Sequence, residues 1–202
     1  MKSYHGSSRL FEKFDLSHSG EGDGKNKFGY GIYTTDRFVR AAHYSFNKHR
    51  PVEEQINHYV YTVEIPDMTD DNCYKQFKDG PVSQAIVKKC EAKLGIAIPQ
   101  EAIDDSFSFR KYIANTLLGV KATTKKMIDN TTDAGNKLAS EFLRSIGFDM
   151  IVWPIVWKEK DNSDKDYAIL DDSKIRILSI DKVELDSKNQ LIPGSEQRIK
   201  TF

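Results

Sequence analysis

Tyr59, Tyr61, Val63 and Ile65 alternate with Val60, Thr62 and Glu64. A period of two predicts a strand, closed by Pro66. Phe38, Ala41, Ala42 and Ser45 follow the helical period instead. With Asp36 as N-cap they predict a helix over Asp36–Lys48, about three turns, ending before Pro51. Ala134–Ile146 is the clearest helix, with Leu138, Phe142 and Ile146 on one face and Gly147 as its C-terminal stop. Three strands are expected after it, at Asp149–Pro154, Asp166–Leu170 and Lys174–Ile180, with a charged, exposed loop at Lys158–Lys165.

At the other end, Lys2–Tyr4 reads as a short edge strand leading into His5-Gly6-Ser7-Ser8. Ser17–Lys27, with Gly20, Gly22 and Gly24, reads as a loop. The second half of Phe28–Thr35 is rich in β-branched and aromatic residues and predicts a strand. Asp67–Asn130 differs from its surroundings. Gln84–Leu94 and Phe109–Leu118 look helical and are separated by a loop-like Gly95–Asp105, so the stretch 67–130 reads as a helical insertion. Strands bracket helices without regular βαβ alternation, which predicts an α+β fold. The 202 residues suit a single domain carrying that insertion.

Charge changes the picture little. Thirty basic residues balance thirty acidic ones, so no bulk attraction to nucleic acid or an anionic membrane is expected. Cys73 and Cys90 are the two cysteines, which supply neither a disulfide framework nor a four-cysteine zinc site. His18, His43, His49 and His58 show no metal-ligand spacing, and no metal is expected. No apolar run is long enough to span a bilayer. The N-terminus lacks the apolar stretch of a cleaved leader, so the chain is expected in the cytoplasm, or secreted without a cleaved signal. Trp153 and Trp157 read as packing residues at a strand end, with Trp157 also a candidate to line a cleft. Lys121–Lys126 reads as a solvated turn.

Three short stretches carry candidate chemistry: Tyr4-His5-Gly6-Ser7-Ser8; Gly29-Tyr30-Gly31-Ile32-Tyr33, with Ala41-Ala42-His43-Tyr44 on the next helix; and Asp166-Tyr167-Ala168-Ile169-Leu170-Asp171. Singly, each has an ordinary reading as a turn histidine, core tyrosines with satisfied hydroxyls, and a solvated strand-edge acid. Their order and wording together resemble the His-Tyr-Glu class of ADP-ribosyltransferases, which includes the poly(ADP-ribose) polymerase catalytic domains. His5-Gly6-Ser7 matches the first motif of that family. Gly29-Tyr30-Gly31-Ile32-Tyr33 with Tyr44 matches the second, and Asp166–Asp171 the third. Phe142–Trp153 also looks like the family, whereas 67–130 has no counterpart.

The resemblance implies two small, mostly antiparallel sheets facing one another around an NAD⁺ cleft. It implies that His5, Tyr33 and Asp166 are catalytic, and that His5, Gly6, Ser7, Tyr33 and Tyr44 bind NAD⁺, which serves as substrate. Backbone groups of Gly6 would hold the nicotinamide amide, and Tyr33 and Tyr44 would flank its ring. His5 would bind the adenosine ribose. The acid would bind the nicotinamide ribose and stabilise the positive charge that develops as the glycosidic bond breaks.

Two positions depart from the family. Asp166 stands where it has Glu, so Glu159 and Asp164 are reserve candidates for the acid. Ala41 stands where it often has Ser, leaving that hydrogen bond to another group such as Ser7 or Ser45. The expected activity is mono-ADP-ribosylation of an unidentified acceptor, a protein rather than nucleic acid. A glycohydrolase, with water as acceptor, and an inactive binding module on the same fold are the alternatives.

Overall fold

Strands form where the alternation predicts them, and two further strands form where it is silent. The computed structural model describes residues 1–20, 26–46, 55–76, 80–159 and 163–202. Within these lie strands β1 (Lys2–Ser7), β2 (Ile32–Thr35), β3 (His58–Glu64), β4 (Cys73–Lys75), β5 (Met150–Pro154), β6 (Lys165–Ile169), β7 (Arg176–Val183) and β8 (Gln197–Thr201). The helices are α1 (Phe38–Tyr44), α2 (Gln84–Leu94), α3 (Gln100–Ile103), α4 (Ser106–Leu117), α5 (Lys125–Ile128) and α6 (Asp133–Ser145). The fold is mixed α and β. Parts of the expected loops at Ser17–Lys27 and Lys158–Lys165, and the last two positions of the helix expected over Asp36–Lys48, lie outside the described residues.

The strands make one sheet of eight, in the order β4-β5-β6-β2-β1-β3-β7-β8. Every pairing is antiparallel except β4 with β5. This corrects the expectation of two separate sheets, and the reason is local. β1 pairs with β3 over six positions but meets β2 at a single one, Tyr4 opposite Thr35. That one pair, reinforced by the Ser3 hydroxyl donating to the Thr35 carbonyl at 2.9 Å, joins two four-stranded halves. β1 is therefore central rather than an edge strand.

Helix α1 is shorter than its apolar spacing predicts. Asp36 does not cap it. Its carboxylate accepts from the Lys165 amide at 2.8 Å and the Tyr167 hydroxyl at 2.9 Å, tying the start of α1 to β6. Ala41 and Ala42 of α1 pack on Val60 and Val183. Small residues there let the helix lie flush on the sheet. Gly6 is needed for the same reason, because a Cβ at that position would run into the Ala41 carbonyl oxygen.

The stretch 67–130, read from the sequence as a helical insertion, also carries strand β4 and contributes to the core. Val87 and Cys90 of α2 and Phe109 and Ile113 of α4 share one buried cluster with Phe142 and Leu143 of α6 and with Ile151 and Trp153 of β5. A second cluster lies around Tyr61, Val63, Met150, Val152 and Tyr167. Helix α2 runs over the expected residues, capped by the Ser83 hydroxyl and ended by Gly95 in the left-handed region.

Candidate active site

The two halves of the sheet part beyond Tyr4 and Thr35, and the candidate residues gather at the gap. His5 follows Tyr4 on β1. Its Nδ1 lies 2.7 Å from the Tyr33 carbonyl oxygen of β2, so a side chain bridges the strands where their ladder has ended. A carbonyl can only accept, so Nδ1 carries the proton and Nε2 is left as the acceptor of a neutral ring. Burial lowers the imidazole pKa, against a smaller opposing effect of that hydrogen bond. Phe14 stands edge-on to the ring at 5.0 Å, and Tyr61 does so at 6.0 Å.

Tyr33 points to the opposite face of the sheet. Its hydroxyl donates to the Gly29 carbonyl at 2.8 Å and accepts from the Phe28 amide at 3.2 Å, closing the glycine-rich turn on itself. Gly29 has a φ of 124°, and a Cβ there would meet Ile151, so both its conformation and its packing require glycine. The Tyr33 ring stands edge-on to Trp153 at 5.4 Å. Trp153 in turn stacks on Phe28 at 4.3 Å. Burial raises the Tyr33 phenol pKa far above its ordinary range, so Tyr33 contributes its ring and a neutral hydroxyl.

Asp166 is the second residue of β6, opposite Thr35 of β2 and Trp153 of β5. Its side chain is 5% exposed. Both carboxylate oxygens are held by Arg40 of α1: Nη2 donates to Oδ2 at 2.7 Å, and Nε lies 3.0 Å from Oδ1 and 3.1 Å from Oδ2. One turn further along α1, the Tyr44 ring lies 5.0 Å from the Arg40 guanidinium carbon, within cation–π range. A single arginine thus contacts both the candidate acid and the second tyrosine.

His5, Gly6, Tyr33, Tyr44 and Asp166 line one cavity of 250 Å³, together with Arg40, Phe28, Trp153 and Trp157. His5, Gly6 and Tyr44 also line an adjoining cavity of 660 Å³. Ser7 belongs to that second cavity, beside Arg9 and Lys13, and not to the aromatic one. Neither candidate for the missing serine hydroxyl reaches the aromatic cavity. Ser7 Oγ accepts from the Arg9 amide at 3.0 Å, and Ser45 Oγ donates to the Ala42 carbonyl at 2.6 Å. The reserve acids do not line it either. Asp164 is paired with Arg37, and Glu159 is exposed.

Sequence reasoning passed over Arg40, Phe28 and the cavity-facing role of Trp153. Arg40 was the most accessible of these, because four residues before Tyr44 on a helix places it on the same face. Among the described residues, no group of three His, Cys, Asp or Glu side chains could hold a metal ion, and no helix is long and apolar enough to cross a membrane. No family model, curated protein or solved structure matches the chain.

Proposed function

We propose that the chain is an NAD⁺-dependent mono-ADP-ribosyltransferase. The observation that carries this reading is the convergence of His5, Gly6, Tyr33, Tyr44 and Asp166 on one cavity from three separate stretches of the sequence. A cavity walled by aromatic rings suits a planar heteroaromatic ring such as nicotinamide. The adjoining, larger cavity, which carries Arg9 and Lys13, has room for the adenosine and diphosphate. His5 lines both cavities, and a neutral imidazole with a free Nε2 acceptor has the chemistry to bind a ribose hydroxyl.

In the reaction, the bond between the nicotinamide nitrogen and the ribose carbon breaks, and its electron pair leaves with nicotinamide. Positive charge spreads over the ribose carbon and ring oxygen. Asp166 supplies negative charge beside that sugar, favouring the transition state over the ground state. The acceptor nucleophile bonds to the same carbon and gives up its proton. Transfer to a protein side chain is the acceptor class we favour. One feature supports a second reading, a module that binds NAD⁺ without turning it over: Arg40 occupies both oxygens of Asp166. Incubation of the protein with adenylate-labelled NAD⁺ and cell lysate separates these readings. Protease-sensitive label in macromolecules supports transfer, free labelled ADP-ribose alone indicates hydrolysis, and intact NAD⁺ together with calorimetric binding indicates a binding module. Label removed by RNase or DNase would assign the acceptor to nucleic acid instead.

A further inference from the structure

Arg110 of α4 is fully buried. Among the described residues no carboxylate pairs with it. Its guanidinium donates to three neutral oxygens: Nε to Gln76 Oε1 at 2.7 Å, Nη1 to Asn136 Oδ1 at 2.6 Å and Nη2 to the Lys27 carbonyl at 3.2 Å. Burial lowers its pKa, the direction expected for a charge taken from water without a counter-ion. Filling this space would need no charge. Apolar residues of similar volume often replace buried ionic groups without loss of stability. The position therefore calls for an explanation in what the fork of the guanidinium holds.

Two of the three acceptors lie on the scaffold, one just after β4 and one on α6. The third begins the wall of the aromatic cavity. The Lys27 carbonyl precedes Phe28, whose amide donates to the Tyr33 hydroxyl at 3.2 Å and whose ring stacks on Trp153 with planes 10° apart. Phe107, also on α4, touches the same wall, with its ring 5.8 Å from Phe28 and 6.0 Å from Trp157.

We propose that Arg110 is a positioning residue for the cavity: by holding the Lys27–Phe28 peptide against the scaffold, it sets the Phe28, Trp153 and Tyr33 rings at the spacing a planar ligand ring requires. The helical stretch that has no counterpart in the resembled family thereby becomes part of the binding machinery. The identity of the ligand rests on the NAD⁺ reading above; the positioning of the wall does not. Three donors in a fixed plane are needed to join three segments, and a lysine ammonium does not reproduce that fork.

The test compares Arg110→Lys and Arg110→Met with Ile113→Val, an equally buried α4 change in the cluster that contains Trp153. The indole N–H resonances of Trp153 and Trp157 and the dissociation constant for NAD⁺ are measured at temperatures where each variant is folded by circular dichroism. Both Arg110 variants are expected to move the Trp153 resonance and to weaken NAD⁺ binding, by up to about a hundredfold as for other displaced positioning groups. KM should rise more than kcat falls, and Ile113→Val should leave resonances and affinity at wild-type values. If Arg110→Met does not fold, Arg110→Lys decides. If the wild type does not bind NAD⁺, the ligand assignment fails and the indole resonances alone decide the positioning role. Wild-type resonances in Arg110→Lys, or equal shifts in Ile113→Val, would overturn the proposal.

Discussion

Arg40 holds Asp166 through both carboxylate oxygens, with its shortest contact at 2.7 Å. Asp166 is almost wholly buried and Arg40 about one-third exposed, so the carboxylate depends on the arginine more than the arginine depends on it. Arg40→Ala is expected to cost about 1–3 kcal/mol by leaving a buried acceptor unpaired. The double variant Arg40→Ala/Asp166→Ala should recover much of that loss. Urea denaturation of the four proteins checks it, and strictly additive effects would mean that the pair is not coupled.

Gly6 has a packing role independent of any ligand. Gly6→Ala pushes a methyl group into the Ala41 carbonyl, so α1 must lift from the sheet, taking Arg40 and Tyr44 with it. A loss of about 1–3 kcal/mol is expected, the usual range for overpacking, seen as a lower thermal midpoint. An unchanged midpoint would show that α1 does not press on β1 as described.

Tyr44 is 46% exposed and lines the cavity, and it is expected to act mainly through its ring. Tyr44→Ala should weaken NAD⁺ binding by roughly 1–3 kcal/mol, the range for a base stacked on an aromatic side chain. Tyr44→Phe should retain most of the affinity. Calorimetric titration distinguishes these results from unchanged binding in folded Tyr44→Ala, which would remove the stacking role.

Burial holds the His5 imidazole below its ordinary pKa of 6.5. The unfolded chain therefore takes up a proton near that pH which the folded chain refuses. Stability from this source is complete above pH 6.5 and falls as the pH drops below it toward the folded value. His58 is lowered for the same reason, so His5→Gln should reduce the acid sensitivity without abolishing it. Urea midpoints at about pH 7.5 and 5.5, on either side of the histidine range, are the measurement. An equal drop in wild type and variant would place His5 in a more solvated setting.

The parts of the fold legible in the sequence are those where local chemistry and tertiary environment agree. Helix α2 has a capping serine and a terminal glycine, and it forms over the expected residues. Strand β3 alternates and is central. Strand β1 was misplaced at an edge because its one buried residue, Ser3, carries no apolar signal, and its second neighbour, β2, pairs with it only at Tyr4. Strand β8 was missed because Gln197–Thr201 is mostly exposed. Helix α4 begins three residues before the expected Phe109 and buries Ser106, Ser108, Arg110 and Asn115, polar residues that a hydropathy pattern assigns to the surface. The motifs singled out candidate residues, of which His5, Gly6, Tyr33, Tyr44 and Asp166 share a cavity and Ser7 does not; the groups that contact them were not singled out. Arg40 and Arg110 make their contacts between elements that only the folded chain brings together.

The most direct test of the proposed activity is nicotinamide release from NAD⁺ by the wild type and by Asp166→Ala, with NAD⁺ affinity measured on both. The expected result is release by the wild type and a loss of roughly a hundred- to a thousand-fold in Asp166→Ala, as for removal of one electrostatic partner of a transition state, with binding largely kept. Asp166→Glu should retain or raise the activity, and Glu159→Ala and Asp164→Ala should match the wild type. Normal turnover by Asp166→Ala, or the absence of any nicotinamide release from the wild type, would contradict the assignment of Asp166 as the acid of an ADP-ribosyltransferase.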